Sequence, residues 1–405
     1  MRRVTSPERV LSLLIPTAIA LYASFNGVQA ILVPDRIAAL DPQGRIADLA
    51  WLTAICAGTG VAGLMSVGAA SDATTGPFGR RAPWLALMAL LSVVFAALLS
   101  RQRTVGGIAI WYGALWFSLN GFQAALLAVA PDRVPERLRG VASSFFAVAG
   151  PVGALIGINL AAWVSPAIGY FVLLAGLAAA TALFLPLARE APFLAAVATG
   201  RPVARPSLGA LASFASRDFS LAFLFRLLMF SAQFSINNYL LYILRDYVGE
   251  AALPGHDARG ATGVLGAVRV ATTLAAILVG HAVAVRTSRR RIFAQAYAAL
   301  MALAMLVPVL WPSWSGMLIF AGLGGAAMGV YAVIDLTLMS RVLPNPHSQG
   351  RDLAMLVMAG ACAQFIAPLL SGVLIDRFGY GALFLAAAWI TVAAGAVVGR
   401  LRGVE

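Results

Sequence analysis

The sequence has no lysine, two cysteines, three histidines and only 11% charged residues in a chain of 405. Each scarcity removes a class of protein. The cysteines, Cys56 and Cys362, lie far apart inside apolar stretches, which excludes a disulfide framework or a cysteine metal centre and leaves them as small buried hydrophobes. The histidines, His256, His281 and His347, stand at predicted helix ends or in loops. No His-Glu-x-x-His helix or Gly-x-Ser-x-Gly turn accompanies them, so an intramembrane enzyme is disfavoured and neither cofactor nor metal is expected. Charge is the most telling deficit. Soluble domains carry about 25% charged and roughly 45–50% apolar residues, whereas this chain is 61% apolar with a mean hydropathy of +0.87. Disorder, collagen and coiled coil fall with the same figures.

What is abundant is apolar sequence in long runs. A bilayer span uses about 20 mostly apolar residues, and the runs predict twelve: 10-33, 47-70, 83-100, 105-130, 140-163, 167-188, 217-244, 260-285, 291-311, 314-340, 352-375 and 380-400. The fold class expected is all-α, a polytopic membrane protein with 12 transmembrane helices in two six-helix bundles. The bundles are residues 1-188 and 217-405, joined by a cytoplasmic linker, 189-216, with Arg189, Glu190, Arg201, Arg205 and the prolines Pro192, Pro202 and Pro206. The first run follows Arg2, Arg3 and Arg9 without a small-residue cleavage site, so it reads as a retained helix.

The net charge of +13 does not point to nucleic acid, because the basic residues, all 29 of them arginine, are scattered in ones to fours between apolar runs. Their distribution tests the span count instead. With the N-terminus inside, 20 arginines fall in cytoplasmic segments and 7 outside, the excess expected of cytoplasmic loops. Both termini are therefore expected in the cytoplasm, with the chain in the cell membrane.

Two levels of repetition are visible. Val134-Pro135 and Gly140 follow span 4, and Leu343-Pro344 and Gly350 follow span 10, 209 to 210 residues later. Within the first half, Ser24-Phe25-Asn26-Gly27-Val28-Gln29-Ala30 in span 1 matches Ser118-Leu119-Asn120-Gly121-Phe122-Gln123-Ala124 in span 4 at five of seven positions. The same offset aligns Tyr22 with Trp116. At helical spacing Tyr22, Asn26 and Gln29 share one face, as do Trp116, Asn120 and Gln123. Inverted triplets of this kind place substrate sites near the membrane midplane. Amides in lipid can also simply bind helices together, at about 0.6–2 kcal/mol per hydrogen bond. The large aromatic paired with two amides in each copy favours a lined cavity.

The loop after span 2 carries Gly68, Asp72, Gly79, Arg80, Arg81, Pro83 and Trp84. Glycine permits a tight turn, and an aspartate at a helix end beside arginines can form a pairing that holds the two bundles together on one side. This pattern resembles the loop 2-3 signature of the major facilitator superfamily, in the form found in sucrose transporters and glycoside-pentoside-hexuronide cation symporters. The resemblance extends to Pro131-Asp132-Arg133-Val134-Pro135-Glu136-Arg137-Leu138-Arg139-Gly140 and to Ser371-Gly372, Asp376-Arg377 and Gly379-Tyr380. It implies a carrier whose two bundles rock, with the loop residues acting as a gate. Span 4 lacks the buried arginine of many proton-coupled members, spans 2 and 4 lack the buried acids of cation symporters, and no aspartate stands in the second-half loop around Gly280 and Arg289-Arg290-Arg291.

Away from the span ends, charge inside the spans is confined to Arg226, Arg269 and Asp335. Each costs at least about 2.5 kcal/mol near the bilayer centre, so such residues are functional by default. Arg226, Gln233 and Asn237 share a face adjoined by Asn238, and Tyr331 stands one turn before Asp335. Spans 1, 4, 7 and 10 thus offer aromatic and polar faces, on the helices that line the cavity in the superfamily. Either arginine can pair with Asp335 for structure alone, or Asp335 can be a protonation site with Arg226 and Arg269 completing the coupling group. In span 5, Gly150-Pro151 with Gly153 and Gly157 partly matches the motif of drug:proton antiporters, although small residues at this spacing also serve close packing.

The function expected is secondary active transport by alternating access, as cation-coupled uptake of a sugar or glycoside with the proton as the ion. Amides supply paired donors and acceptors for hydroxyls, and Tyr22, Trp116 and Tyr331 supply faces for a sugar ring. The alternative is proton-coupled export of an amphipathic or anionic compound, and a non-transporting sensor on the same scaffold is a further class. Expected partners are the small-molecule substrate, the proton and the lipid bilayer, with the chain acting as a monomer.

Overall fold

The computed structural model describes residues 7–75, 78–188, 213–286, 290–343 and 349–401, and among them no strand occurs. The chain divides into two compact units, Met1–Asp48 with Ile55–Val203, and Leu49–Ala54 with Ala204–Glu405. Most of the linker predicted at 189-216 lies outside the described residues, which resume at Ser213.

The first unit opens with α1 (Pro7–Gly27), a π-helical stretch (Val28–Leu32) and α2 (Val33–Leu40), continuous as one rod. It runs beyond the predicted end at Val33. The wide π turn takes in Gln29, the last residue of the amide face, and Pro34 falls in the first turn of α2, where its missing N–H is tolerated. Next come α3 (Arg45–Ala73), α4 (Ala82–Ser100), α5 (Val105–Arg133), α6 (Glu136–Trp163) and α7 (Pro166–Ala188). Helix α1 packs on α6 and α7, and α4 packs on α5 and α7. The α1/α6 contact is close enough that the backbone of α6 at Gly157 lies directly against that of α1 at Ala23. This is the packing use of the span 5 glycines.

The second unit contains α8 (Arg217–Asn237), α9 (Leu240–Tyr242) followed by a π-helical stretch (Ile243–Gly249), α10 (Ala258–Arg286), α11 (Arg290–Leu310), α12 (Trp314–Arg341) and α13 (Gln349–Val398). The apolar run predicts span 7 unbroken over 217-244. The helix instead stops at Asn237, and Asn238 and Tyr239 form a turn before it resumes. Helix α13 is bent in two at Gly379, whose φ of 78° is a conformation that glycine adopts at no steric cost, which recovers the predicted boundary between spans 11 and 12. Helix α8 packs on α13, α10 on α12, and α11 on both α12 and α13.

The duplicated halves share start signals. Thr104 caps α5 by accepting the Gly107 N–H at 3.1 Å, and Ser313 caps α12 by accepting the Gly316 N–H at 3.2 Å. The two caps are 209 residues apart, the spacing of the coarse repeat. Ten helical stretches among the described residues are long and apolar enough to cross a membrane, Val148–Trp163 is a shorter apolar stretch, and Met355–Val398 contains the bend at Gly379. Large apolar side chains stand outward, among them Leu278, Phe171 and Trp389, each more than 70% exposed. Surface of this kind belongs against lipid, so the chain is a multi-pass membrane protein.

Candidate functional site

In the first unit the two copies of the repeated segment meet. Gln123 Nε2 on α5 lies 3.4 Å from the hydroxyl of Tyr22 on α1, and Phe25 meets Trp116 edge-on with centroids 5.1 Å apart. Asn26 donates to the Tyr22 carbonyl at 2.8 Å, and Asn120 donates to the Trp116 carbonyl at 2.9 Å. The two asparagines thus make the same bond one turn back along their own helices, leaving each side-chain oxygen as the group to offer elsewhere. Trp116 is 3% exposed, held between Phe25 and Tyr112, while Tyr22, Asn26, Asn120 and Gln123 are half-buried. Gln29 lies in the π-helical stretch after Gly27. Gly60 of α3 passes beside Asn120, where a methyl group would come within 2.9 Å of Nδ2. That neighbour carries no signal in the sequence.

In the second unit the buried charges separate into two groups. Arg226 pairs with Asp335, and the same Nη1 donates to the Tyr331 hydroxyl at 2.7 Å and lies 3.0 Å from the Met339 sulfur. The guanidinium also stands 5.2 Å from the centroid of Phe230, a favourable cation–π distance. Tyr297 of α11 stacks on Tyr331 with centroids 4.6 Å apart, and its own hydroxyl is sealed with no hydrogen-bond partner among the described residues. Arg269 makes no ion pair among the described residues and donates to Asn237 Oδ1 at 2.6 Å. The break in span 7 falls just after this contact, and Asn238 at the break is buried. Among the described residues Gln233 reaches the Met328 sulfur, at 4.0 Å.

The loop residues form a third cluster, all within the first unit. Arg81 binds Asp72 at 2.5 Å, Asp132 at 2.9 Å and Ser71 at 2.5 Å, and Arg80 binds Asp132 at 3.0 Å. One guanidinium therefore ties the end of α3, the start of α4 and the end of α5 together. Burial opposes the charge on Arg81, but Asp132 and then Asp72 outweigh it and hold its pKa above the ordinary arginine value. Gly79 has φ 84°, the left-handed turn that the motif needs. Gly68 sits inside α3, where a methyl would make only ordinary contact with Ala124, at 3.7 Å. Trp84 completes the corner by donating to Thr74 at 2.7 Å.

No family model matches the chain, and no curated protein matches it in sequence. Solved structures do match. A bacterial homolog of the human lysosomal transporter Spinster, inward-facing and occupied, aligns over 99% of this chain and 98% of its own at 12% identity and TM-score 0.73. The nucleoside transporter NupG aligns over 98% and 99% at 12% identity and TM-score 0.73. A POT family transporter in complex with a thioalcohol-conjugated peptide aligns over 96% and 95% at 14% identity and TM-score 0.76. The fold is the major facilitator fold. Identities this low establish architecture and leave the solute to be argued from side chains.

Within that fold, four contributors escape a reading of the sequence alone. Tyr297 and Met339 complete the surroundings of Arg226, and Ser213 donates at 2.7 Å to Asp352, which is fully buried in the first turn of α13. The sequence carries no pattern that marks Tyr297, since a tyrosine in an apolar run reads as an ordinary packing residue. Asp352 is legible as an acid near a helix start, where the helix dipole favours it, but not as buried.

Proposed function

We propose that the protein is a secondary active transporter that moves a small polar solute across the cell membrane by alternating access, with residues 1-188 and 217-405 as its two bundles and both termini cytoplasmic. The observation that carries this reading is the Arg226–Asp335 pair on the major facilitator fold. Arg226 lies nine residues into α8, about 13 Å along the helix. A buried pair is a costly way to gain stability, because desolvation offsets most of the attraction, and a charge at such depth is characteristic of ion pathways and proton relays. Protonating Asp335 removes its attraction to Arg226, so one proton changes the bonding between α8 and α12.

The amide pairs and aromatic rings of α1 and α5 support a hydroxylated solute, with a sugar or glycoside taken up with protons as the first candidate. Arg80, Arg81, Asp72, Asp132, Gly68 and Gly79 serve as the cytoplasmic gate. Export of an amphipathic compound through the span 5 motif has less support, because Gly153 and Gly157 are occupied with packing against α1. The test is uptake into proteoliposomes under an imposed pH gradient, with a panel of labelled sugars and glycosides. Asp335→Asn is expected to abolish pH-driven accumulation while leaving solute exchange. Accumulation unchanged in that variant refutes the coupling role, and the absence of flux for every solute under pH and sodium gradients refutes the carrier.

A further inference from the structure

Arg269 lies eleven residues into α10, about 16 Å along the helix and close to the middle of its span. The charge of Asp335 is already engaged by Arg226, and Arg269 has no carboxylate within ion-pair distance among the described residues. Among the described residues its side chain donates to a neutral group, the Asn237 side-chain oxygen. Arg269 is half-buried as a residue, and its remaining N–H groups are not among the sealed, unpartnered atoms of the described residues. A cation fixed at this depth, held by a dipole and left uncompensated, is costly unless an anion completes it.

We infer that Arg269 is the anchor for an anionic group of the transported solute, a carboxylate received on the guanidinium edge that Asn237 leaves open. This deepens the transport reading by naming the charge of the solute, and it rests on that reading only for the word transported. Arginine suits the role because its planar fork matches a carboxylate in two parallel hydrogen bonds. Asn237 orients the fork without neutralising it. The turn at Asn238 and Tyr239 ends α8 directly beside this contact, which resembles the way broken helices place polar groups at transporter sites. A solute with one carboxylate brings the Arg226, Asp335 and Arg269 group to overall neutrality.

The test uses purified full-length protein and acids matched with their uncharged amides: gluconate with gluconamide, mandelate with mandelamide, and benzoate with benzamide, with chloride and phosphate as inorganic controls. Ligand-induced rise of the melting temperature is titrated in each case. At least one acid is expected to protect where its amide does not, with affinity falling about 30-fold or more in Arg269→Gln, since removing one partner of a desolvated charge contact costs about 2 kcal/mol or more. Asn237→Asp is a second variant that keeps Arg269 and supplies it with an internal carboxylate, so it should lose acid binding to the same degree. The inference is overturned if amides protect as well as acids, if either variant binds the acids like wild type, if only the inorganic ions protect, or if no acid shifts the wild-type protein. Flux separates the two levels of argument. pH-driven uptake of a neutral glycoside, insensitive to every acid, would keep the carrier and discard the anchor. Acid binding through Arg269 with no flux of any solute would do the reverse.

Discussion

Adding one methyl group at Gly157 should separate two helices. A Cβ there would overlap the carbonyl oxygen of Ala23 and stand 2.7 Å from two further backbone atoms of the same residue, where ordinary contact begins at 3.4 Å. Backbone cannot swing aside as a side chain can, so α1 and α6 must part by about 1 Å. The same seam holds Gly153, whose methyl would meet the Ile19 oxygen at 2.7 Å, and Gly27, whose methyl would meet the Gly157 oxygen at 2.6 Å. A radial gap of about 0.5–1 Å forfeits roughly a quarter to a half of each dispersion contact along that seam. The expected loss for Gly157→Ala is therefore about 3 kcal/mol, the upper end for overpacking. At Gly150 of the same helix an added methyl would have no neighbour within 4 Å, so Gly150→Ala should be neutral or stabilising by up to about 1 kcal/mol through helix propensity. Unfolding of the purified variants in mixed micelles with increasing denaturing detergent measures both. Equal shifts for the two variants, or a Gly157→Ala protein as stable as wild type, would refute the close-packing account of span 5.

Three further outcomes follow from the polar clusters. Arg226→Met or Asp335→Leu alone should cost about 3 kcal/mol, the lower end for a broken buried pair because the Asp335 side chain is 27% exposed, and the double variant should recover much of it; strictly additive losses in the detergent titration would show that the two residues do not interact. Tyr297→Phe removes a sealed hydroxyl with no partner among the described residues, so stability should stay level or rise by about 1 kcal/mol, and a loss of that size would reveal a bond the hydroxyl makes. Arg81→Gln leaves Asp72 and Asp132 short of their shared cation, and hydrogen exchange at the α3/α4 corner should quicken about tenfold or more, since bonds to charged groups contribute about 1.5–3 kcal/mol. Unaltered exchange there would remove Arg81 as the tie of that corner.

Much of the architecture is legible before any coordinates, because lipid imposes a length and a hydrophobicity that a one-dimensional scan can read. The spans and the six-and-six layout express local rules. The departures arise where local rules end. Asn237 sits in an apolar run that nothing marks as interrupted, yet α8 stops there, beside the contact with Arg269. Span 1 continues past Val33 because a π turn absorbs the irregularity that Pro34 would otherwise impose. Tyr297 is indistinguishable in sequence from any lipid-facing or core aromatic.

The sequence alone determined the solvent, the number and order of the rods and the scarcity of charge within them, since each follows from composition along a line. Only the tertiary structure decided the pairings. Arg226 and Arg269 are equal candidates for Asp335 on paper, and the tertiary structure gives the carboxylate to one and a neutral amide to the other. It likewise set Gly157 against Ala23. Such choices depend on distances between residues far apart in the chain, and no spacing along the sequence encodes them.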